Sequence, residues 1–235
     1  MTVRYSVAEG VATITLDRPQ ARNAVNLEMC EQLIHFTAQV ASDVRVVFVR
    51  ANGPAFCAGA DLKERAGRDE AWVRERRLRA FMAYEALEAL PMPCVALVHG
   101  AVVGSGVEIA AACDFIVATP EATFRTPEAQ RGTVGATQRL PRILGKRLAK
   151  DLMFTGRELG ADEALRAGLV SRIAQDLDAA AREIAAKIAA APASALQLAK
   201  RSIDRGVERD PAGARRVEIE AIDAQLASGS WMGKK

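Results

Sequence analysis

The stretch that decides the fold is Gly100-Ala101-Val102-Val103-Gly104-Ser105-Gly106-Val107-Glu108. It follows the apolar run Cys94–Val98, which reads as a strand buried on both faces. Beyond it, Val107–Cys113 is small and apolar, like the start of a buried helix. The whole is a strand–turn–helix transition. Backbone N–H groups at a helix start have no partner within the helix, so such a turn suits an anion or a developing oxyanion. Glu108 stands inside an apolar run, where a carboxylate is unfavourable unless paired. A structural ion pair and a functional carboxylate are both open readings of it.

Working outward, two further features resemble parts of the same apparatus. Upstream, Phe56-Cys57-Ala58-Gly59-Ala60-Asp61-Leu62-Lys63 follows the continuous apolar run Val44–Val49. Its small residues allow a ligand to approach the backbone. Downstream, Phe124-Arg125-Thr126-Pro127-Glu128 places a second carboxylate just after a proline-fixed turn. N–H donors from two loops would hold an oxyanion, and Glu108 and Glu128 would serve as general acid and base if they converge. Other chemistries find no support. Val103 occupies the position where a GxSxG elbow needs glycine, and there is no GxxxxGK[ST] or GxGxxG. The basic stretch Arg74–Arg79 reads as a solvated helix face.

The rest of the chain alternates strands and helices, then becomes helical. Arg4–Val7 and Val11–Leu16 read as a hairpin around Glu9-Gly10. Leu27–Val40 has helical spacing with Asn26 as N-cap, and Asp69–Leu90 is a long charged helix. Phe115–Ala118 is a further strand. From Gln138 the pattern is helical, broken at Gly145, Gly160, Gly168, Pro192 and Pro211. This predicts an α/β core over residues 1–175 and a helical region over 176–235, whose apolar positions Ile184, Ile188, Leu196 and Leu198 point to an oligomer. The net charge of +3 is too small to suggest nucleic acid as a partner. No apolar run reaches the ~20 residues that span a bilayer, and the first residues lack the layout of a signal peptide. Cys30, Cys57, Cys94 and Cys113 form no CxxC pair and, with His35 and His99, no metal-ligand spacing. Reduced thiols, no metal and a cytoplasmic location are the expectation.

In order and spacing these residues resemble the crotonase (enoyl-CoA hydratase/isomerase) superfamily over nearly the whole chain. The resemblance rests on Leu16-Asp17-Arg18-Pro19…Asn23-Ala24, Ala58–Leu62, Gly104–Glu108 followed by Ala112-Cys113-Asp114, Pro127-Glu128, Thr137-Gln138-Arg139-Leu140-Pro141 and Gly156-Arg157…Gly168-Leu169-Val170. It implies an α/β spiral of ββα turns with a C-terminal helical region used in trimers or dimers of trimers. It also implies an oxyanion hole from the N–H groups of Ala60 and Ser105. Glu108 and Glu128 occupy the positions of the paired glutamates of family hydratases. Arg22, Ala24, Ala58, Asp61, Leu62 and Lys63 fall on the segments that hold the acyl-CoA. The implied function is an enoyl-CoA hydratase with no cofactor, coenzyme A being part of the substrate. The alternatives are an enoyl-CoA isomerase, another acyl-CoA reaction of the family, or a catalytically weak acyl-CoA-binding scaffold. Three departures stand out. Ser105 replaces a glycine, Gly132–Thr137 is about three residues shorter than the family pattern, and the chain stops after Trp231-Met232-Gly233-Lys234-Lys235.

Overall fold

A computed structural model describes residues 1–229, and the closing Trp231–Lys235 segment lies outside them. The chain opens with the expected hairpin, β1 (Val3–Ala8) and β2 (Val11–Leu16). Its turn has both central residues at positive φ, Glu9 at 51° and Gly10 at 74°, the form that matches the natural twist of paired strands. Helix α1 (Leu27–Ala38) follows, with the Asn26 side chain accepting from the Met29 N–H. Then come β3 (Val46–Ala51), α2 (Glu70–Glu88), β4 (Cys94–Val98), β5 (Ala101–Val103), α3 (Ser105–Ala111), β6 (Phe115–Ala118) and β7 (Thr123–Arg125). The remainder comprises α4 (Arg139–Thr155), β8 (Leu159–Gly160), α5 (Ala161–Arg166), β9 (Arg172–Ile173), α6 (Leu177–Ala190), α7 (Ala193–Gly206) and α8 (Pro211–Ser228).

The strands form a six-stranded sheet in the order β1-β2-β3-β4-β6-β9 and a three-stranded sheet in the order β5-β7-β8. Apart from the β1–β2 hairpin, every pairing in the large sheet is parallel. The small sheet is extended by parallel bridges from Cys57 to Val102 and from Val25 to Ala60. The chain therefore repeats one motion. β2 leads to Val25 and α1, and β3 leads to Cys57–Ala60 and α2. In the same way β4 leads to β5 and α3, and β6 leads to β7 and α4. This is an α/β spiral of ββα turns. β5, β7, β8 and β9 go beyond the strands expected from the sequence. They are two or three residues long, too short to show a periodicity.

The apolar runs of the large sheet divide by alternation. Val47, Val49, Cys94, Ala96, Val98, Ile116 and Ala118 face the main core, while Val46, Phe48, Val95, Leu97 and Val117 face the opposite side. Helix α6 covers that opposite side, with Ile184 buried in it and Ile188 packed alongside. Ile184 and Ile188 were expected on an intermolecular stripe; they are occupied instead by the chain's own sheet. Leu196 and Leu198 of α7 are half-buried. The large apolar residues left exposed on α7 and α8 are Ile203, Val207, Ile219, Ile222 and Leu226. All four cysteines are free and buried. Among the described residues no helix is long and apolar enough to cross a membrane.

The first two turns of the spiral are tied together by Asn23, which is fully buried. Its carbonyl accepts from Arg18 N (2.7 Å), and its amide donates to the carbonyls of Asn52 (2.8 Å) and Ala55 (2.9 Å). Its φ of 54° is one that asparagine tolerates better than most residues. Replacing Asn23 by Ala leaves buried polar groups unpaired, so Asn23→Ala is expected to lower unfolding free energy by about 2–4 kcal/mol, read from the urea midpoint.

Candidate active site

The geometry begins with where the second and third spiral turns touch. Cys57 donates its N–H to Ala101 O (3.1 Å) and accepts from Val103 N (2.8 Å). On the other side of this segment, Val25 N bonds Gly59 O and Asp61 N bonds Val25 O, both at 2.8 Å. That pairing turns the N–H of Ala60 away from Val25. Ser105 is the first residue of α3 and adopts ordinary helical backbone, so its N–H has no acceptor within the helix. Neither the Ala60 nor the Ser105 N–H has an acceptor among the described residues. Both residues line one cleft of about 180 Å³, together with Glu108 and Glu128. Tyr84 lines the same cleft as Ser105, and burial pushes its phenol far above its ordinary range.

Small residues make this approach possible. A Cβ on Gly106 would lie 2.7 Å from Cys57 O and 2.8 Å from Cys57 Cβ, so only glycine lets α3 sit against that segment. Gly104 has φ 48° and ψ −107°, and a Cβ there would overlap Glu128 Oε1. A Cβ on Gly135 would lie 3.0 Å from Glu128 Cγ, which places the short Gly132–Thr137 loop directly against that side chain.

The two carboxylates have unlike surroundings. Glu108 is buried on α3, and its Oε2 accepts from Arg139 Nη1 at 3.1 Å. Arg139 also donates through Nη2 to Glu88 Oε2 at 2.6 Å. The sequence left open whether Glu108 is a paired or a functional group. The structure assigns one oxygen to an ion pair and leaves Oε1 without a protein partner among the described residues. Glu128 opens the short turn Ala129–Arg131, and its Oε2 is buried with no hydrogen-bond partner. Burial first, and the neighbouring charge of Glu108 as well, raise the Glu128 carboxyl above the usual range.

The other expected residues spread along the two loops. Leu62 lines the cleft and is about half exposed. Arg22, at φ 50°, offers its carbonyl to Ala58 N (2.9 Å), so these two residues brace one loop on the other. Ala24 O accepts from Arg18 Nη1 at 2.9 Å. Asp61 accepts from Arg18 Nη1 (2.6 Å) and from Lys63 N (3.0 Å). Burial opposes its charge, yet these bonds hold its carboxyl below the usual value. Arg22, Ala24, Ala58, Asp61 and Lys63 lie outside the cleft lining. Arg76 departs from the expected solvated face. It is buried, pairs with Glu64 Oε2 (3.2 Å), donates to Val25 O and lines the cleft beside Arg77. Sequence reasoning also passed over Arg139 and Tyr84. Arg139 stands in the quoted Thr137–Pro141 stretch, while Tyr84 has no local signal. Among the described residues no group of His, Cys, Asp and Glu has the arrangement of a metal site.

The fold defines the chain as a crotonase-type α/β protein. The sequence pattern of the family described as enoyl-CoA hydratase/isomerase matches residues 6–229, and the chain belongs to that family. Human enoyl-CoA hydratase domain-containing protein 2, mitochondrial, is 42% identical over 224 residues, covering 89% of this chain and 76% of its own. The short-chain-enoyl-CoA hydratase of Clostridium acetobutylicum is 36% identical over 220 residues, 90% of this chain and 84% of its own. The crystal structure of enoyl-CoA hydratase from Bacillus anthracis superposes with a TM-score of 0.93 at 35% identity, over 97% of this chain and 92% of that one.

Two outcomes test this geometry. Gly104→Ala forces a side chain into both an unfavourable φ and the Glu128 carboxylate, so turnover is expected to fall at least ~10²-fold in a protein that still folds by circular dichroism. Glu128 has a raised carboxyl, so the stability it contributes is full below its unfolded value and is lost as pH rises through its folded one. The melting temperature of Glu128→Gln relative to the parent should therefore shift in the variant's favour between about pH 4 and about pH 8.

Proposed function

We propose that the protein is an enoyl-CoA hydratase, adding water across the 2,3 double bond of a 2-enoyl-CoA thioester. The observation that carries this reading is the pair of unlike carboxylates on one cleft: Glu108 beside a guanidinium, and half-buried Glu128 with one buried oxygen that has no hydrogen-bond partner. Hydration needs two different proton-transfer groups. Glu108 takes the proton from water as the oxygen attacks the β-carbon. Glu128, whose carboxyl holds its proton more tightly than an ordinary one, gives a proton to the α-carbon. Between these events the thioester oxygen carries negative charge, which the N–H groups of Ala60 and Ser105 stabilise; one such donor is worth ~10²–10³ in rate. Transfer of the proton from Glu108 back to Glu128 through solvent restores the starting state. The segments around Arg22, Ala24, Ala58, Asp61, Leu62 and Lys63 hold the CoA portion. No cofactor beyond this is called for, and a cytoplasmic enzyme is the matching setting. A structural neighbour at 29% identity and TM-score 0.88, from Thermobifida fusca, was crystallised with acetoacetyl-CoA, which supports an acyl-CoA as ligand.

A second reading is favoured by one observation. The shortened loop sets Gly135 against the Glu128 side chain on the wall of the cleft that would have to hold the attacking water. If water is held poorly, the same cleft isomerises the double bond or only binds acyl-CoA. Loss of absorbance of 2-butenoyl-CoA with product identification separates these readings. A 3-hydroxyacyl product supports hydration, a shifted double bond supports isomerisation, and tight binding without turnover supports a scaffold. Glu108→Gln and Glu128→Gln are each expected to lower kcat at least ~10²-fold with little change in binding. Near-parental turnover by either variant would remove that residue from the mechanism. Inserting Pro-Gly-Gly between Val134 and Gly135 should raise hydration about 10- to 100-fold, the worth of one orienting hydrogen bond, while leaving α-proton exchange of butanoyl-CoA unchanged. A trimer or dimer of trimers belongs to the same reading, supported by the exposed apolar residues of α7 and α8. A stable active monomer in sedimentation at micromolar concentration would contradict it.

A further inference from the structure

Among the described residues, Arg139 is the one charged side chain that joins the candidate base to an element outside the cleft. Its guanidinium is mostly buried, and its two terminal nitrogens are divided between two carboxylates. Nη1 is on Glu108 Oε2 at 3.1 Å, and Nη2 is on Glu88 Oε2 at 2.6 Å, while Nε is buried without an acceptor. Glu88 is the last residue of α2, Glu108 lies on α3 and Arg139 opens α4. Three helices are thus pinned at the carboxylate. A guanidinium fork is planar and its donors diverge at fixed angles, so fastening one end on Glu88 restricts where the other can point. Bonding Oε2 fixes the Glu108 carboxylate and presents Oε1 to the cleft that Glu108 lines.

We propose that Arg139 is a positioning residue for hydration, holding Glu108 so that its free oxygen meets the attacking water, with Glu88 as the anchor that sets the guanidinium. It touches neither substrate nor water and acts through Glu108 alone. Arg139 opens α4 one residue beyond the shortened Gly132–Thr137 loop, with Gln138 between them, so this stretch sets where the guanidinium starts. The proposal rests on the hydratase reading, and its test keeps the two apart. Hydration by the parent is measured first, and its absence would remove the reading itself.

The test compares Arg139→Ala, Arg139→Lys and Glu88→Gln with the parent in two reactions: hydration of 2-butenoyl-CoA, and exchange of the α-protons of butanoyl-CoA with solvent. Exchange uses the oxyanion donors and Glu128 but no attacking water. Arg139→Ala is expected to lower kcat for hydration about 30-fold, with KM within about threefold and exchange within about threefold of the parent. Added methylguanidinium should restore hydration in Arg139→Ala in a saturable way, and do nothing for the parent. Arg139→Lys keeps a charge but loses the fork, so it should fall between the two. Glu88→Gln, remote from substrate, should lower hydration several-fold without changing exchange. Equal loss of both reactions, or a loss that tracks a fall in melting temperature without rescue, would make Arg139 a helix tie only. Unchanged hydration in Arg139→Ala would overturn the proposal. Should Arg139→Ala fail to fold, the hydration-to-exchange ratio in Arg139→Lys and Glu88→Gln decides by the same criteria.

Discussion

The rest of the structure depends on the contact between Gly106 and Cys57. Helix α3 can start where it does only because a hydrogen replaces a side chain 2.7 Å from a backbone carbonyl. The contact brings the N-terminus of α3 against the Cys57–Ala60 segment, which β5 holds in place through two backbone hydrogen bonds. With these two fixed, the N–H groups of Ala60 and Ser105 open onto one cleft, and Glu108 is carried into it three residues later. In the proposed reaction such donors would already be oriented, so that no reorganisation would be needed as charge develops. Repeating parallel strands supplies the rigidity: each turn of the spiral is bonded to the one before it, so the loops that bear the site are edges of a sheet rather than free connections.

The second organising effect is electrostatic asymmetry. Two carboxylates facing one cleft would behave alike if their surroundings were alike. Here one has a guanidinium at 3.1 Å, and the other has a buried oxygen with no donor at all. Desolvation and the neighbouring charge of Glu108 then outweigh the opposing effects of its own backbone N–H and of Arg131 and Arg77. Leaving a polar atom unpaired in the interior lowers stability, and the fold tolerates it where chemistry benefits. The contrast with Asp61 is instructive. That carboxylate is also buried, yet Arg18 and the Lys63 N–H satisfy it, and it serves to fix the loop beside Ala60.

The same division runs through the arginines. Arg18, Arg76 and Arg139 are all partly or fully buried and each bonds a carboxylate from a distant part of the chain. They act as ties within the spiral rather than as a solvated surface: Arg76 lines the cleft, while Arg18 and Arg139 lie outside its lining. Apolar residues show a parallel split. Alternation along β3, β4 and β6 feeds two cores from one continuous apolar run, and α6 closes the outer one. The apolar residues left over are on α7 and α8.

The sequence by itself determined the long strands, the first two long helices, and the motif segments at the cleft. Each of these is a local property: a continuous apolar run for Cys94–Val98, a cap at Asn26, a glycine cluster before Glu108. Glu108 stood out because a carboxylate is unusual in an apolar run, Glu128 because it follows a proline-fixed turn, and Ala60 and Ser105 were singled out by the resemblance to the family pattern. Only the tertiary structure decided the short strands β5 and β7, since three residues have no period and exist as strands through their partners. It alone decided that Ile184 and Ile188 face the chain's own sheet, because a stripe on a helix does not say what will cover it. It alone brought Arg139 to Glu108 across 31 positions of chain, and buried Arg76 against a carboxylate 12 positions away. Charge pairing across such separations is set by where the spiral returns, and that is a consequence of packing and not of any neighbouring residue.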